Sequence, residues 1–225
     1  MKIRCSQLGR LMGGFERPKD SLTEDAKSLL QEIAIFDKYG IEQIIDSKEM
    51  RKGREVEEQS ITLLSKVTNT LYIKNKEIFE NEYIIGTPDI KPPKDYVIDI
   101  KSPYNIFTFA NSQVTSSYAW QLMGYMWLTG KRLAKLAYCL IDAPEHIMSD
   151  EFKRVCYMTN TFKGDNNELY LEYEDKVRKL MSYPQIPAER RIKIFDIKWD
   201  ETKIEMIKAK YALANEYYQT FVESI

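Results

Sequence analysis

Three charged residues near the middle of the chain have types and spacing suited to chemistry. Residues 83–89 form an apolar run that leads into Gly-Thr-Pro and ends on Asp89. Residues 96–101, just downstream, read as a β-strand because they are rich in β-branched side chains. Residues i and i+2 of a strand share a face, so Asp99 and Lys101 are expected to point the same way. Two carboxylates and an ammonium in this arrangement would hold a hard cation beside a positioned base.

This combination suits the hydrolysis of a phosphodiester. Mg²⁺ prefers oxygen ligands and is usually bound by one or two carboxylates together with waters and substrate phosphates. A cation held in this way polarises the phosphorus and lowers the pKa of a bound water. Lys101 would hold or deprotonate that water. Taken singly, each fragment has a simpler interpretation, because Asp-x-Lys on a strand is usually a solvated face and Pro-Asp usually marks a turn.

A third carboxylate is expected from the helix that follows Arg51-Lys52-Gly53-Arg54. At about 100° per residue, Glu57 falls within the apolar arc of this helix, whereas Glu55 and Glu58 project away from it. A buried carboxylate is costly unless it is paired or binds a metal ion. Glu57 therefore either joins a metal site or forms a helix-edge ion pair with a basic residue, and the sequence leaves both interpretations open.

The apolar helix expected over residues 118–128 carries a single strongly polar side chain, Gln121. A run that is apolar on all sides predicts a buried helix, and Gly130 marks its end. Tyr125 lies one turn after Gln121 on the same face. A buried amide needs hydrogen-bond partners, which are either the backbone of a neighbouring strand or a catalytic water and a phosphate.

These motifs, in this order, resemble the PD-(D/E)xK nuclease superfamily. Within it they are most similar to the YqaJ-type viral recombinase nucleases, the phage lambda exonuclease family. The match covers residues 51–130 and consists of Gly53-x-x-x-Glu57, Gly86-Thr87-Pro88-Asp89, Asp99-Ile100-Lys101 and Gln121. Gln121 and Tyr125 also resemble the Gln-x-x-x-Tyr motif of RecB-type nucleases. The resemblance implies an α/β fold with a restriction-endonuclease-like core, in which helices flank a mixed central sheet.

The resemblance also implies a role for each matching residue. Oxygen atoms of four residues would bind Mg²⁺ or Mn²⁺, with the last acting through a second ion or a water: Asp89, Asp99, Ile100 (backbone carbonyl) and Glu57. Lys101 would position or deprotonate the attacking water. Gln121 would orient Lys101 or the water, and Tyr125 would support Gln121.

The N-terminal segment resembles the part of that family that grips a 5′-phosphate. Ser6 aligns with it, and Arg4 is the nearest candidate for the family's upstream arginine. Arg54, from the basic cluster Arg51-Lys52-x-Arg54, is expected to contact DNA. The alternative for residues 1–12 is that they simply begin the first helix, with their apolar side chains packed inward and Arg4 in solvent.

Length and composition limit the classes of protein to consider. A chain of 225 residues predicts one nuclease domain over 1–225, with core motifs at 51–130 and a helical elaboration at about 165–225. A net charge of −1 argues against coating DNA through a global positive charge. Three separated cysteines and one histidine argue against zinc-ribbon, iron–sulfur and multi-histidine sites. The odd cysteine count and the lack of a signal peptide or membrane-spanning run predict a cytoplasmic protein.

The remaining elements follow from periodicity and stop signals. Ser21-x-x-Glu24 resembles a capping box for a helix over 26–38, and His146 is expected in a surface loop. Further helices are expected at 168–181 and 201–223, and strands at 71–74, 77–79, 83–86, 135–141 and 192–195. The last helix has a broad apolar and aromatic face, which either covers the core or forms a subunit or partner surface.

The function predicted from these patterns is a metal-dependent DNA nuclease of phage origin that acts in the host cytoplasm. A 5′→3′ exonuclease acting on linear double-stranded DNA for recombination fits the resemblance best, with a single-strand annealing recombinase as partner. One alternative is a catalytically silent DNA-binding or recombinase-partner module on the same fold. The intact Asp89, Asp99 and Lys101 count against it. The other alternative is an endonuclease, which would share the same core.

Overall fold

The structure, a computed structural model, describes residues 1–13, 21–163 and 167–225. It is an α/β arrangement in which helices flank two mixed sheets. The helices of the described residues are α1 (Leu8–Met12), α2 (Glu24–Tyr39), α3 (Lys48–Glu55), α4 (Glu57–Thr68), α5 (Ile106–Ala110), α6 (Ser116–Thr129), α7 (Glu145–Thr159), α8 (Asn167–Met181) and α9 (Glu201–Ser224). Short 3₁₀ turns occur at Cys5–Gln7 and Ala188–Arg191. No helix of the described residues is both long and apolar enough to cross a membrane.

Six strands form two three-stranded sheets in the part of the chain that the structure describes. The first sheet has the order β1 (Ile3–Arg4), β3 (Ile84–Gly86), β2 (Phe79–Glu80), with β1 parallel and β2 antiparallel to β3. The second has the order β4 (Val97–Lys101), β5 (Leu133–Cys139), β6 (Ile192–Lys198), with β4 parallel and β6 antiparallel to β5. The expectation of one mixed central sheet is thus corrected to two mixed sheets.

Helix α6 is the element that joins the two sheets. The Thr115 side chain accepts a hydrogen bond from the Tyr118 amide at its start, and Gly130 ends it in the left-handed region at φ 69°. Every residue from Ala119 to Met126 is buried, which confirms the buried helix predicted from its all-round apolar character. Because α6 contacts β3, β4 and β5, its polar side chains meet the strands of both sheets.

Several sequence expectations needed correction. The cap of α2 is Thr23, whose hydroxyl accepts from the Ala26 amide, and not the box at Ser21. Residues 71–74 contribute one isolated bridge, between Lys74 and Ile90, in place of a strand. His146 is exposed as expected, but it lies in the first turn of α7. By contrast, the strand expected at 192–195 is confirmed as β6, which lies between the two C-terminal helices α8 and α9.

The apolar face of α9 is largely covered within the chain. Ile204, Ile207, Ala214 and Tyr218 are buried, and the helix packs against α2, α1 and α6. This burial favours the core-covering interpretation of α9.

The contact between α1 and α6 allows no side chain at Gly9. A Cβ built there would lie 2.3 Å from Oγ and 2.7 Å from Cα of Ser117, so the backbone itself would have to move. We expect Gly9→Ala to lower the free energy of unfolding by about 1–3 kcal/mol, the usual cost of overpacking, as measured by urea denaturation. Gly53→Ala is the matched control, because no atom lies within 4 Å of its Cβ position in helix α3. An equal loss in both variants would contradict this packing.

Candidate active site

A cavity of about 560 Å³ opens where α3, α4, α6 and the end of β4 meet. Four of the charged residues singled out from the sequence line it: Arg54, Glu57, Asp89 and Lys101. Three tyrosines complete its wall: Tyr104, Tyr118 and Tyr138. Four of the side chains with the potential for phosphodiester chemistry thus share one cavity, while Asp99 lies buried beneath its wall.

Strand β4 positions Asp99 and Lys101 on one face, as its alternation predicts. The Lys101 Nζ lies 2.8 Å from Oδ2 of Asp99, whose side chain is 0% exposed. On the opposite face, Ile98 and Ile100 pack in an apolar cluster with Leu64. This burial fixes the register of β4, because a one-residue slip would exchange its two faces.

Asp89 approaches β4 from the chain segment after β3. Its Oδ2 accepts a hydrogen bond of 2.7 Å from the Ile100 amide, and its own carbonyl accepts one from the Asn75 amide. Burial, followed by the negative charge of Asp99, raises the pKa of Asp89 to about 8. For Lys101, the attraction of Asp99 and Asp89 outweighs the effect of burial and raises its pKa above the ordinary value. The structure links Ile100 to this cluster through its amide, and a role for its carbonyl stays a prediction.

Gln121 lies against Asp99 and not directly against Lys101. Its Nε2 donates to Oδ1 of Asp99 at 3.2 Å and to the Tyr125 hydroxyl at 3.1 Å. The Tyr125 hydroxyl donates to the Thr87 carbonyl at 3.2 Å. The helix comes this close because Gly86 has no side chain, since a Cβ there would lie 2.7 Å from the Tyr125 ring. The two residues thus hold Asp99, and any effect on Lys101 passes through that carboxylate.

Glu57 lies in the first turn of α4, just after the break at Val56 that separates it from α3. It lines the cavity with Asp89, whereas Glu55 and Glu58 line a different one. Its Oε2 also accepts a hydrogen bond of 3.0 Å from Lys74. Both interpretations of Glu57, a site residue and a paired helix-edge carboxylate, are therefore compatible with this placement.

The oxygen atoms of this site suit a hard divalent cation. Oδ2 of the buried Asp99 accepts no well-oriented hydrogen bond from the described residues, and the Lys101 ammonium is its charged neighbour. Within residues 1–13, 21–163 and 167–225, no three acidic, histidine or cysteine side chains stand close enough to surround an ion. Mg²⁺ usually takes only one or two carboxylates, with water and phosphate as its other ligands. Asp89 and Asp99 fit that donor set as a pair.

A second cavity, of about 330 Å³, borders the site on the N-terminal side. Arg4 and Ser6 line it together with Gly86, Thr87 and Tyr125, so it shares Tyr125 with the Gln121 contact. The Arg4 guanidinium is 3.7 Å from Glu42 at the surface. The alternative holds for the inward packing of Leu8, Leu11 and Met12 on α1, but the residues before them form β1 and a 3₁₀ turn and do not begin the helix. The 5′-phosphate site stays a prediction.

Sequence reasoning missed several residues at the site. Lys74 meets Glu57, and the Tyr118 ring lies 4.8 Å from the Lys101 Nζ. Helical spacing could have found Tyr118, which lies three residues before Gln121. Lys74 had no such signal, because it falls at the end of the strand expected at 71–74, away from the motifs of the site. Arg54, the expected DNA contact, lines the cavity while paired with Asp46.

Comparison with solved structures finds exonucleases as neighbours. A phage-related exonuclease from Haemophilus somnus 129PT has 27% identity and a TM-score of 0.76, over 100% of this chain and 96% of that one. The alkaline exonuclease LHK-Exo from Laribacter hongkongensis has 13% identity and a TM-score of 0.66, over 99% and 90%. Its complex with dAMP gives 14% identity and a TM-score of 0.64, again over 99% and 90%. No protein-family model and no curated protein matches the sequence.

These neighbours confirm the resemblance to phage-type exonucleases that the motifs indicated. The likeness to LHK-Exo establishes a common fold. The likeness to the phage-related exonuclease adds sequence identity along the whole chain. The α/β fold of this chain is therefore an exonuclease-like fold, with the cavity of Asp89 and Lys101 as its candidate active site.

Proposed function

We propose that this protein is a metal-dependent DNA nuclease with a PD-(D/E)xK core, acting as a 5′→3′ exonuclease on linear double-stranded DNA. The observation that carries the proposal is the ion pair of the fully buried Asp99 with Lys101 beside Asp89. It is supported by a fold similar to that of a phage-related exonuclease over the full chain. The setting we propose is phage recombination in the host cytoplasm, with a single-strand annealing recombinase and further copies of the chain as candidate partners.

In this proposal the carboxylates bind the metal ion, and the basic side chains position the attacking water and bind phosphate. Asp89 and Asp99 would hold Mg²⁺ or Mn²⁺, with Glu57 acting through a second ion or a water. A bound divalent cation would supply a polarised phosphorus and a more acidic water. Lys101, with its ammonium at the cavity wall, would hold the attacking water in line with the scissile bond.

The N-terminal cavity is the proposed site for a terminal 5′-phosphate. Ser6 would donate a hydrogen bond to it, and Arg4 would add a charge-assisted one. Arg54, in the wall of the main cavity, would contact the backbone of the same strand. Such local contacts are required because the chain has a net charge of −1 and lacks a global attraction to DNA.

A catalytically silent module explains the site less well. A fully buried carboxylate and a largely buried ammonium cost desolvation energy that an apolar pair of similar size would avoid. A module that only binds DNA gains nothing from that arrangement at the wall of a cavity. An endonuclease would share the site, but unlike an exonuclease it would not need a DNA end.

Activity on a set of matched DNA substrates tests the function. We expect Mg²⁺-dependent release of mononucleotides from linear duplex DNA with 5′-phosphates, slower release from 5′-hydroxyl ends, and no cutting of closed circles. The control is the same reaction in EDTA. Equal rates on the two kinds of end would remove the 5′-phosphate site, and efficient cutting of circles would favour the endonuclease. No cutting under any condition would contradict the nuclease.

Three glutamates at the junction of α3 and α4, Glu55, Glu57 and Glu58, provide a second test. Glu57→Gln is expected to lower the rate about tenfold and to raise the Mg²⁺ concentration needed for half-maximal rate, because Glu57 alone of these three lines the cavity of Asp89. Glu55→Gln and Glu58→Gln, which alter the neighbouring cavity, should stay within about twofold of wild type. Tenfold is a modest effect for one catalytic group. The opposite ranking of the three variants would show that Glu57 is only a structural partner of Lys74.

A further inference from the structure

Lys52, on α3, reaches across to the chain that leaves β4. Its Nζ donates hydrogen bonds to two consecutive carbonyls, of Pro103 at 2.9 Å and of Tyr104 at 3.0 Å. The side chain is 0% exposed although it belongs to a lysine. Lys101, two residues before Pro103, lies at the end of the strand that this contact fixes.

Burial of this ammonium is costly for the fold. Lysine is seldom fully buried, and buried charges are usually paired with an opposite charge. Here the hydrogen-bond partners are neutral carbonyls, and burial, only partly offset by the attraction of Asp142, lowers the pKa of Lys52 to about 8. An apolar side chain of the same length would fill the space at less cost, so filling the core does not explain the lysine.

The two hydrogen bonds connect the two halves of the candidate active site. Lys52 is on α3, just before Gly53, and the break at Val56 separates it from Glu57 on α4. Its partners, Pro103 and Tyr104, directly follow Ser102, just after the end of β4. Other contacts hold the same short loop: the Ser60 and Ser102 hydroxyls are 2.8 Å apart, and the Tyr104 hydroxyl donates to Glu151 at 3.0 Å. The loop after Lys101 is therefore fixed to α3 through Lys52, to α4, which carries Glu57, through Ser60, and to α7 through Glu151.

We infer that Lys52 is a positioning residue for the nuclease reaction proposed above. By fixing the carbonyls of residues 103 and 104 to α3, it sets the distance from Glu57 to the pair formed by Asp99 and Lys101. Lys52 acts only by positioning Glu57, Asp99 and Lys101, because its own buried ammonium does not line the cavity wall. Since the role rests on the proposed nuclease function, the wild-type reaction must be measured first.

Lys52→Met is the direct test, because methionine keeps the length and removes the donor. We expect kcat on linear 5′-phosphorylated duplex to fall about 10- to 100-fold, since a misplacement of about 1 Å can cost a factor of 100. KM, and DNA binding in Ca²⁺, should stay within about threefold of wild type. The matched control is Lys210→Met on α9, another buried lysine whose Nζ donates to a carbonyl, that of Ser21. It should keep its kcat within about twofold.

The outcomes separate this role from simple stabilisation. A Lys52→Met protein with wild-type kcat would overturn it, as would equal losses of kcat in Lys52→Met and Lys210→Met. If Lys52→Met does not fold, the test passes to Lys52→Arg, which keeps a cationic donor. This variant must fold and retain more than half of the wild-type kcat/KM. Failure of both to fold would make Lys52 a folding determinant and refute the inference. A wild-type protein that never cuts DNA contradicts the nuclease itself, whereas an active Lys52→Met contradicts only the positioning role.

Discussion

Asp99→Asn is expected to lower the rate of Mg²⁺-dependent DNA hydrolysis by at least about 100-fold, the scale on which single catalytic groups act. Asparagine keeps the shape of the side chain and its contact with Gln121, but it removes the negative charge that would attract the ion. Asp99 is fully buried, so water cannot compensate for the lost charge. The rate should be measured over a range of Mg²⁺ and Mn²⁺ concentrations.

Asp196→Asn is the control for this experiment. Asp196 lies on β6 and also pairs with a lysine at 2.8 Å, Lys135, but its side chain is 55% exposed. Its loss should leave the rate within about twofold of wild type, since exposed ion pairs contribute little. Thermal unfolding of both variants shows whether either rate reflects lost folding. An Asp99→Asn protein that folds and cuts DNA at the wild-type rate would refute the metal-ligand assignment.

Lys101→Ala is expected to abolish turnover, with a loss of about 100-fold or more, while DNA binding in Ca²⁺ stays nearly unchanged. The reason is the position of the ammonium, which is 2.8 Å from Asp99 and 4.8 Å from the Tyr118 ring centroid at the cavity wall. In that position we expect it to act on the reacting water and not on the DNA backbone further out. Turnover and binding should be measured on the same linear duplex.

Lys135→Ala provides the comparison, because Lys135 lies on β5 and pairs with Asp196. It should bind and cut like the wild type. If Lys101→Ala loses binding and turnover in the same proportion, Lys101 contacts phosphate and does not act on water.

The parts of the fold that the sequence predicted are those specified by local patterns. The β-branched run of β4 and the apolar run of α6 each fix one element by periodicity and end signals. The face of Glu57 also followed from helical geometry. The division of the strands into two sheets did not, because it depends on pairings such as Ile3 with Ile84, which are distant in sequence.

The site shows the same limit more sharply. Strand alternation placed Asp99 beside Lys101, two residues apart. Lys74 meets Glu57 across 17 residues, and Lys52 meets the loop after β4 across 51 and 52. Such contacts are set by how elements pack together, which periodicity does not encode. Helix α7 was missed because its buried positions include a polar one, Glu151, whose charge is compensated by Lys48 and Arg154.

The packing of the N-terminal segment has a consequence for the order of events during synthesis. Cys5 and Leu8 fit against Gly86 and Gly124, and β1 pairs with β3. On the ribosome, this segment therefore emerges well before any of its partners and must wait for α6. The cavity wall that the N-terminal segment forms together with Tyr125 is therefore completed late. A ribosome-bound chain in which α6 and β5 have not yet emerged would accordingly carry Asp89, Asp99 and Lys101 without the helix and the strand that position them.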